Sequence, residues 1–529
     1  MIRIDQLRLP VGHTREQLER KLLKTLRIGK RDLNGYHIRK RSLDARKKPD
    51  LSYSYSVDVD VAEEGRILKQ MGAKVRHVSP KPYCLPAHGS EPLTRRPVVV
   101  GSGPAGLFCA YLLAQAGYKP LVIERGAPVR ERIQDVERFW ETGVLRPDSN
   151  VQFGEGGAGT FSDGKLNTLV KDTAGRGRFV LETFVRHGAP EDILWEQKPH
   201  IGTDLLTETV ESMRCAIIRM GGEFRFHSQV TDLVPEERLL ILNGQETLKT
   251  DAAVFAIGHS ARDTFEMLYG HGVAMSAKSF AAGVRIEHRQ SLIDRNMYGR
   301  EDRGDLPAAS YKLTEKLDNG RGVYTFCMCP GGYVVDASSE EGHLAVNGMS
   351  YRSRAGENAN SAVIVTVTPE DYGSDHPLAG IRFQRMLEKR AWEAGGGRIP
   401  VQRFADFCLD KKTTAAGSIR PNMKGQYTYG DVRGIFPDVL AESLEEGIRS
   451  MDRKIQGFAD PDALLSGVES RTSSPVRIER DADFRSNLSW IYPCGEGAGY
   501  AGGITSAAMD GMKTAEALIR RFAPPAGRT

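Results

Sequence analysis

Apolar side chains in the first 71 residues repeat with the periods of helices and strands. They recur at every fourth position at Leu18, Leu22 and Leu26, as on one face of a helix, and at every second position from Tyr53 to Val61, as on one face of a strand. The predicted elements are a strand over 2–9, a helix from Thr14, strands over 36–43 and 51–61, and a helix over 63–71. This order predicts a small α+β unit.

A different pattern begins at the apolar strand 98–100. It is followed by the turn 101–106, Gly-Ser-Gly-Pro-Ala-Gly, and by a helix-compatible stretch over 107–115. A second apolar strand over 120–123 ends at Glu124. Strand, glycine turn, helix and acidic residue stand here in the order of a dinucleotide-binding unit.

Each glycine of this turn has a physical task. The first permits the tight turn, the second lets a pyrophosphate approach the backbone, and the third lets the helix pack on the strand. The phosphates then lie at the helix N-terminus, where free N–H groups favour anions. Glu124 stands eighteen residues after Gly106, near the spacing of a carboxylate that accepts ribose hydroxyls. A plain glycine turn between buried elements is the alternative, and it does not account for Glu124.

Two later segments have the same character. Residues 250–256 predict an apolar strand that stops near a glycine, and residues 490–494 predict another that ends in Gly495 and Glu496, with a helix from Ile504. A glycine-rich stretch over 153–166 adds hydroxyls and a lysine, and its backbone N–H groups suit phosphate and sugar oxygens.

With these segments the sequence resembles the glutathione-reductase-fold flavoproteins, in the branch whose single FAD domain is split by a substrate domain. Together with residues 256–263, 347–352 and 469–475, it looks like a bacterial family of uncharacterised FAD-dependent dehydrogenases over nearly the whole chain. The resemblance implies non-covalent FAD. It also implies that Glu496, where many members have Asp, holds the ribitol, and that Val230, on a strand over 223–230, contacts the adenine through its main chain.

The expected fold class is α/β: a split Rossmann-like FAD-binding domain, an inserted β-rich α+β substrate domain, and a small N-terminal α+β (ferredoxin-like) domain. Five prolines between positions 80 and 97 predict a linker. The predicted domains are the basic α+β domain (1–79), the linker (80–96), the first part of the FAD-binding domain (97–264), the inserted substrate domain (265–465), the C-terminal part of the FAD-binding domain (466–522) and a disordered tail (523–529).

The motifs and the resemblance together assign a set of residues to FAD. They are Gly101, Gly103, Pro104, Ala105, Gly106, Glu124, Arg125, Gly156, Gly157, Thr160, Ser162, Gly164, Lys165, Val230, Ala256, Gly258, Gly495, Glu496, Gly502, Gly503, Ile504 and Thr505. Lys165 beside the flavin would stabilise its anionic reduced form, although a salt bridge or a pyrophosphate contact explains a lysine there equally well.

The predicted activity is that of an FAD-dependent oxidoreductase acting on a small substrate, with NAD(P)H or a ferredoxin-like protein as electron donor. The chain has neither a second glycine signature of this kind nor a Cys-x4-Cys pair, so a separate NAD(P)H domain of the disulfide-reductase type is not expected. The residues that we consider for catalysis are Arg471, Cys329, Tyr351, Arg352 and His259.

Three of the catalytic candidates have a structural alternative. Arg471 either clamps a substrate carboxylate or binds backbone carbonyls. The two cysteines of Cys327-Met-Cys329 are either small buried residues of a sheet, or a thiol pair that faces the flavin, or metal ligands. No metal is predicted, because the twelve histidines show no HxH or HxxxH spacing. His259 either donates to the cofactor or packs within its loop.

Charge is concentrated at the N-terminus. Residues 1–50 hold 15 Lys/Arg and 6 Asp/Glu, a net +9 against +5 for the whole chain. One explanation is a solvated face, and another is a docking surface for an acidic electron carrier. A third is a nucleic-acid surface in an RNA-associated flavoprotein, carried by Arg39-Lys-Arg41 and Arg46-Lys-Lys48 and flanked by Tyr36 and Tyr53, whose rings suit stacking on bases. No apolar run is long enough for a membrane span, no signal peptide is evident, and seven cysteines form no disulfide pattern, so the predicted location is the cytoplasm.

Overall fold

The computed structural model describes residues 1–79, 81–300 and 302–525. The first residue of the predicted linker, Pro80, and residues 526–529 of the predicted tail lie outside the described residues. Within the described part of that tail, the Ala523 N–H donates to the Glu91 carbonyl.

The N-terminal unit is one antiparallel sheet carrying two helices. Its elements are β1 (Ile2–Pro10), α1 (Arg15–Leu26), β2 (Leu33–Asp44), β3 (Ser52–Val61), α2 (Glu64–Met71) and β4 (Val75–His77). The strand order is β2-β3-β1-β4. Helix α1 begins after Thr14, whose hydroxyl accepts from the Gln17 N–H while the Gln17 side chain accepts from the Thr14 N–H. Leu18, Leu22 and Leu26 then lie buried against the sheet, as their spacing predicts.

The next unit begins with the predicted strand–turn–helix. Its elements are β5 (Val98–Val100), α3 (Pro104–Gln115), β6 (Leu121–Ile123), α4 (Val129–Thr142), α5 (Arg176–Arg186), α6 (Thr203–Arg219), β7 (Glu223–Arg225), β8 (Val230–Val234), β9 (Leu239–Leu242), β10 (Glu246–Lys249), β11 (Ala253–Phe255) and α7 (Arg262–Gly270). Helix α3 starts earlier than predicted, because Pro104 is suited to the first helical position.

The expected single strand over 223–230 is wrong. The chain turns at His227, whose φ of 51° lies in the left-handed region. Strand β7 therefore joins the parallel sheet, whereas β8 pairs with β9 in a separate three-stranded sheet. Val230 keeps a buried position as the first residue of β8.

The remaining elements run to the C-terminal helix. They are β12 (Met275–Ala277), β13 (Phe280–Arg289), α8 (Gln290–Tyr298), β14 (Thr314–Lys316), β15 (Gly322–Cys329), β16 (Tyr333–Asp336), β17 (Val346–Met349), β18 (Asn358–Val367), α9 (Ala379–Gly395), β19 (Ile399–Arg403), α10 (Phe404–Cys408), β20 (Met423–Lys424), β21 (Tyr427–Tyr429), α11 (Asp438–Met451), β22 (Leu464–Glu469), β23 (Val476–Ile478), β24 (Ile491–Pro493) and α12 (Ile504–Arg521).

Two sheets position the site. The first is parallel throughout, in the order β24-β11-β5-β6-β7, so that its strands end at one common edge. The second has seven strands in the order β14-β15-β18-β13-β22-β19-β21. Strand β22 spans the predicted boundary at residue 465 and pairs with β13 and β19 of the second sheet.

The apolar core follows these two sheets. Helices α3 and α12 pack against each other beside the parallel sheet, where a Cβ on Gly511 would lie 2.0 Å from the Ala105 carbonyl oxygen. A second large cluster lies around the seven-stranded sheet and includes residues of α9 and α11. Within 1–79, 81–300 and 302–525, no helix is both long enough and apolar enough to cross a membrane.

Candidate cofactor site and polar chamber

A cavity of about 1760 Å³, measured with its open mouth, lies where the strands of the parallel sheet end. In open α/β sheets this edge is where ligands bind. The wall is formed by the turn after β5, the end of β6, the loop 152–167, the loop after β11 and the start of α12. The far wall belongs to the seven-stranded sheet, through β15 and β22.

Gly101 and Gly106 of the turn after β5 make close backbone approaches of the kind that a tight turn and a packed helix require. Gly101 has a φ of 99°, and a Cβ there would stand 2.4 Å from the Ala256 carbonyl oxygen. A Cβ on Gly106 would stand 1.9 Å from the Gly101 carbonyl oxygen. A Cβ on Gly103 would meet nothing nearer than the Gly157 Cα, at 3.8 Å, so its surface faces the cavity.

Glu124 is held by protein donors. Its Oε2 accepts from the Ser102 N–H at 2.9 Å and the Ser102 hydroxyl at 2.7 Å, and its Oε1 accepts from the N–H groups of Gly126 and Gly154 at 3.0 and 3.1 Å. These four bonds fill the acceptor positions of a carboxylate. Glu124 therefore ties the first glycine turn to the loop 150–157 in this structure, and its binding of ribose stays a prediction.

One buried arginine shapes the second glycine-rich loop. Arg132 of α4 is fully buried and donates to the carbonyls of Asn150, Val151, Glu155 and Gly157 at 2.6–3.0 Å. Burial lowers its pKa to about 10, and its guanidinium stacks 4.9 Å from the Phe161 ring. Because a guanidinium presents five donors in a fixed fork, it can hold several carbonyls of a loop in one conformation.

Two helices begin at the cavity. Helix α3 has Gly103 as its N-cap residue and α12 has Gly503, and neither N-cap provides a side-chain hydrogen bond. A Cβ on Gly502 or on Gly503 would meet no atom within 4 Å, so the start of α12 is open to the cavity. Two helix N-termini of this kind favour anionic or electron-rich groups between them.

His259 and Glu496 line the cavity near the end of β11. His259 is 9% exposed, and its Nδ1 lies 3.3 Å from Glu496 Oε1 without hydrogen-bond geometry. Among the described residues, neither ring nitrogen of His259 has a hydrogen-bond partner. A buried polar ring without a partner is the kind of group that a bound ligand satisfies.

We define the polar chamber as the part of the cavity lined by Lys165, Phe326, Cys327, Asn347 and Glu469. Arg285 lies behind the polar chamber and binds three of its lining residues. Arg285 is fully buried and donates to Glu469 Oε2 at 2.9 Å, Asn347 Oδ1 at 3.2 Å and the Cys327 carbonyl at 2.6 Å.

This arrangement depends on a glycine. A Cβ on Gly348 would lie 2.3 Å from Arg285 Nη2, so only glycine leaves room for the guanidinium. Arg285 thus fixes three walls of the polar chamber from behind, and Gly348 permits it.

Lys165 lies between an acid and a thiol. Its Nζ is 3.5 Å from Asp163 Oδ2 and 3.8 Å from the Cys329 sulfur. Burial opposes its charge, but Asp163 and the thiols of Cys329 and Cys327 outweigh burial and raise the pKa of Lys165. Asp163 is itself buried and paired with Arg354. Lys165 therefore presents a fixed positive charge to the chamber.

Glu469 is the carboxyl group of the polar chamber. Its burial is the main cause of a pKa raised to about 7, although Arg285 acts against that rise. Oε2 is bound to Arg285, and no described residue donates to Oε1. Glu469 is therefore a cavity-lining carboxyl that holds a proton close to neutral pH.

Arg471 borders the cavity, but its donors are engaged. It donates to both oxygens of Glu388, at 2.8 and 2.9 Å, and to the hydroxyls of Ser260 and Ser339. Glu388 also binds Arg262. Neither predicted role, clamping a substrate carboxylate or binding backbone carbonyls, matches these contacts, because the Nε and Nη2 edge is occupied by Glu388.

The structure brings most predicted cofactor residues to one cavity. Those in its lining are Gly101, Gly103, Pro104, Ala105, Glu124, Arg125, Gly157, Ser162, Gly164, Lys165, Val230, Ala256, Gly258, Glu496, Gly502, Gly503 and Ile504. Gly106, Gly156, Thr160, Gly495 and Thr505 lie outside the lining. Of these, the Thr505 hydroxyl donates to the Leu166 carbonyl at 2.8 Å.

The catalytic candidates divide in the same way. His259 and Arg471 line the cavity, whereas Cys329 is buried behind Cys327. Tyr351 packs against Tyr333, and Arg352 is paired with Asp192. Both lie outside the lining, so the geometry gives neither a place at the reacting atoms.

Several lining residues were absent from the predicted set. They are Ser102, Gln152, Phe153, Asp163, Gln229, Ser260, Thr264, Phe326, Cys327, Asn347, Glu469 and Thr472. Cys327, Asn347 and Glu469 stood in motifs that the sequence marks, but their alternation along strands did not show which residue would face the cavity.

The cradle fits FAD. Bare glycine surfaces, two open helix N-termini and an unpartnered His259 supply the space and the polar groups that a dinucleotide requires.

The sequence agrees with this assignment of the site to FAD. Residues 99–146 match the sequence model of an NAD(P)-binding Rossmann-like domain, residues 279–472 match that of a FAD-dependent protein, C-terminal domain-like, and residues 1–60 match a domain of unknown function. The chain is a flavoprotein, and its cofactor is FAD.

An uncharacterized protein of Clostridium beijerinckii is 48% identical over 540 residues, which cover 99% of each chain. The chain belongs to the same family as this relative. Among solved structures, a mutant of 2-methyl-3-hydroxypyridine-5-carboxylic acid oxygenase is 11% identical and covers 79% of this chain and 81% of its own, with a TM-score of 0.32. CtdE in complex with FAD is 12% identical and covers 79% and 83%, with a TM-score of 0.30.

Proposed function

We propose that the protein is an FAD-dependent oxidoreductase that transfers hydride or electrons between its flavin and a small substrate. The observation that carries the proposal is the continuity of one cavity. It runs from the glycine cradle at the edge of the parallel sheet into the polar chamber of the seven-stranded sheet. A cofactor site that opens onto a chamber with a cation, a thiol and a protonated carboxyl is suited to substrate chemistry.

The chain's residues divide between holding the cofactor and preparing the chamber. The N–H groups at the starts of α3 and α12 would hold the pyrophosphate and the flavin edge. Bound FAD supplies hydride and electron transfer. Lys165 would bind a negatively charged group in the polar chamber, and Glu469 holds a proton at its carboxyl. Arg285 orients both Glu469 and the Cys327 carbonyl.

We further propose a glutathione-reductase-type fold with the predicted domains. Two features support it: the parallel sheet joins strands from residues 98–255 to β24 near residue 492, and the residues between them build the seven-stranded sheet. In this arrangement residues 265–465 carry the substrate's side of the cavity. Seven free cysteines support the cytoplasm as the proposed location.

The alternatives based on the basic N-terminal domain have less support. Arg39 is paired with Asp58, Arg41 with Glu196, and Arg46 with Asp44. Arg41 also covers the Tyr53 ring at 5.0 Å. An RNA phosphate would have to compete with these ion pairs for the guanidinium groups, and a base would have to compete with Arg41 for the Tyr53 ring. Exposed Lys40 and Lys47 remain for the docking of an acidic electron carrier, which we keep as a proposal beside NAD(P)H.

The deciding measurement is an anaerobic absorption spectrum of the purified protein. We expect a flavin band near roughly 450 nm that bleaches on addition of NADH, NADPH or chemically reduced ferredoxin. The donor that bleaches it fastest identifies the electron source. A flavin that none of the three donors reduces contradicts an oxidoreductase, and a protein that neither carries nor takes up FAD contradicts the proposal entirely.

A further inference from the structure

Cys327 stands in a bulge of β15 at the wall of the polar chamber. The pairing of β15 with β18 is regular through Phe326 and resumes at Cys329 after a register shift. Between them Cys327 has a φ of 46°, in the left-handed region that non-glycine residues rarely occupy. Because of the bulge, two successive residues, Phe326 and Cys327, both line the cavity. An unusual backbone conformation at such a wall is the kind that functional sites retain.

The bulge is held from behind by hydrogen bonds. The Cys327 carbonyl accepts from Arg285 Nη2 at 2.6 Å and from the Cys329 thiol at 3.2 Å. Cys329 is buried, whereas Cys327 is partly accessible. The geometry thus separates a supporting thiol from an accessible one.

The surroundings of Cys327 favour its thiolate. The charged and titratable groups about it are Lys165, Arg285, Asp163, Glu469 and Cys329. The neighbouring Cys329 side chain and the positive charges of Lys165 and Arg285 lower the pKa of Cys327, against burial and Asp163. Reactive cysteines occupy such electropositive, partly exposed surroundings.

The same cavity has groups that would recognise a ligand. The Phe326 side chain is 37% exposed, although it stands in the cavity wall. Lys165 offers a positive charge, and the buried His259 ring has no partner among the described residues. An aromatic face, a cation and unsatisfied polar atoms around a thiol suit a planar, conjugated molecule with an anionic group.

We propose that Cys327 is a nucleophilic thiol that forms a covalent bond with an α,β-unsaturated carbonyl compound whose anionic group is held by Lys165. This inference rests on the proposed function, since it takes the polar chamber as the place of the substrate. It assigns a chemical class to that substrate and a covalent site to this chain.

The step is an addition without any redox change. The Cys327 sulfur forms a bond to the β-carbon, and the C=C π electron pair moves to the α-carbon. The protonated Glu469 carboxyl donates its proton to the α-carbon, and the proton released when the Cys327 thiol ionises restores that carboxyl. The sum is the addition of S–H across C=C, which needs neither an oxidant nor a reductant.

The test is labelling of the FAD-loaded wild-type protein with limiting N-ethylmaleimide, an uncharged conjugated carbonyl, at pH 6. Peptide mass spectrometry reads the site, and the exposed thiol of Cys84 is the internal control. An ordinary thiol with a pKa near about 8.5 is only about 0.3% thiolate at this pH. We expect Cys327 to be labelled at least about tenfold faster than Cys84. An equal or slower rate at Cys327 overturns the proposal.

The role of Lys165 is tested with 3-maleimidopropionate, which carries a carboxylate. The readout is its labelling rate at Cys327 divided by that of N-ethylmaleimide, so that a general change in thiol reactivity cancels. We expect Lys165→Met to lower this ratio about fivefold or more and Lys165→Arg to retain it. An unchanged ratio in Lys165→Met removes the anionic group from the proposal.

Failure of this inference and failure of the proposed function give different results. A protein whose flavin is reduced but whose Cys327 is inert keeps the oxidoreductase and loses the covalent site. A protein whose Cys327 is rapidly labelled but whose flavin no donor reduces keeps the thiol and loses the oxidoreductase.

Discussion

At the scale of single residues, two buried arginines hold the walls of the site. Arg132 holds the loop 150–157, and Arg285 holds the polar chamber, each through hydrogen bonds to backbone or side-chain oxygens. Neither arginine belongs to a motif. The sequence alone does not show which of its 73 Lys/Arg residues will be buried, so sequence analysis did not find them. The glycines, in contrast, were predictable, because strand, turn and helix together require them at fixed positions.

Glu287 provides a test of buried charge by pH. It is fully buried in β13, and burial is the main cause of a pKa raised to about 7 from 4.5. Its stabilising contribution is complete below about pH 4.5 and is lost as the pH rises through about 7, because the folded state then ionises a buried acid.

Glu287→Gln should therefore become more stable relative to wild type as the pH rises from 5 to 8, by up to about 3 kcal/mol. Urea unfolding across this pH range measures it. Glu341→Gln, at an exposed position, is the control and should show no such trend. A difference between Glu287→Gln and wild type that stays constant with pH would show that Glu287 is ionised throughout.

At the scale of elements, the spacing of apolar residues and the glycine turns predicted most strands and helices of the N-terminal unit and of the parallel sheet. The prediction for residues 223–230 was wrong, because an apolar–polar pattern does not reveal the left-handed turn at His227 that separates β7 from β8. Sequence analysis also could not show that β15 bulges at Cys327, since that conformation depends on Arg285 from a distant strand.

Gly106→Ala tests the junction of β5 and α3. Its Cβ would lie 1.9 Å from the Gly101 carbonyl oxygen, so the helix must shift away from the strand. We expect purified Gly106→Ala to retain less than about a tenth of the wild-type flavin absorbance. Gly65→Ala in α2, where a Cβ meets no atom within 4 Å, is the matched control and should retain all of it. Normal FAD content in Gly106→Ala would contradict the role of this close approach.

Arg132→Lys tests the loop that follows α4. A lysine keeps the charge but cannot reach the several carbonyls that the guanidinium binds. We expect FAD to bind at least about tenfold more weakly and the free energy of unfolding to fall by at least about 3 kcal/mol. Flavin fluorescence titration and urea unfolding measure the two effects. Arg130→Lys on the same helix, where the side chain is exposed beside Glu211, should change neither.

At the scale of the whole molecule, a buried ionic network joins the two sheets. Glu388 of α9, beside the seven-stranded sheet, binds Arg262 at the start of α7 and Arg471 after β22. Burial opposes the charge of Glu388, but the two arginines hold its pKa well below the usual range. Its stabilising contribution is therefore complete above about pH 4.5 and is lost in acid.

Glu388→Gln removes the carboxylate that two buried arginines share, so that Arg471 loses its acidic partner and Arg262 keeps only Glu340. We expect it to reduce the free energy of unfolding by about 3–5 kcal/mol at pH 7. Because the network touches both sheets, loss of flavin and loss of secondary structure should occur together at a lower temperature, as followed by fluorescence and circular dichroism. Glu393→Gln, exposed on the same helix, is the control. Flavin release well before unfolding would show that the network serves the cofactor site alone.

The order of strands in the parallel sheet has a consequence for biosynthesis. Its first strand is β5 near residue 98, but β24 and α12, which complete the sheet edge and the cradle, are among the last segments of the chain. A nascent chain on the ribosome therefore lacks part of the cradle until α12 has been synthesised, about 400 residues after β5. Uptake of FAD marks a chain that has been translated through its C-terminal helix, and a prematurely terminated product would be left colourless.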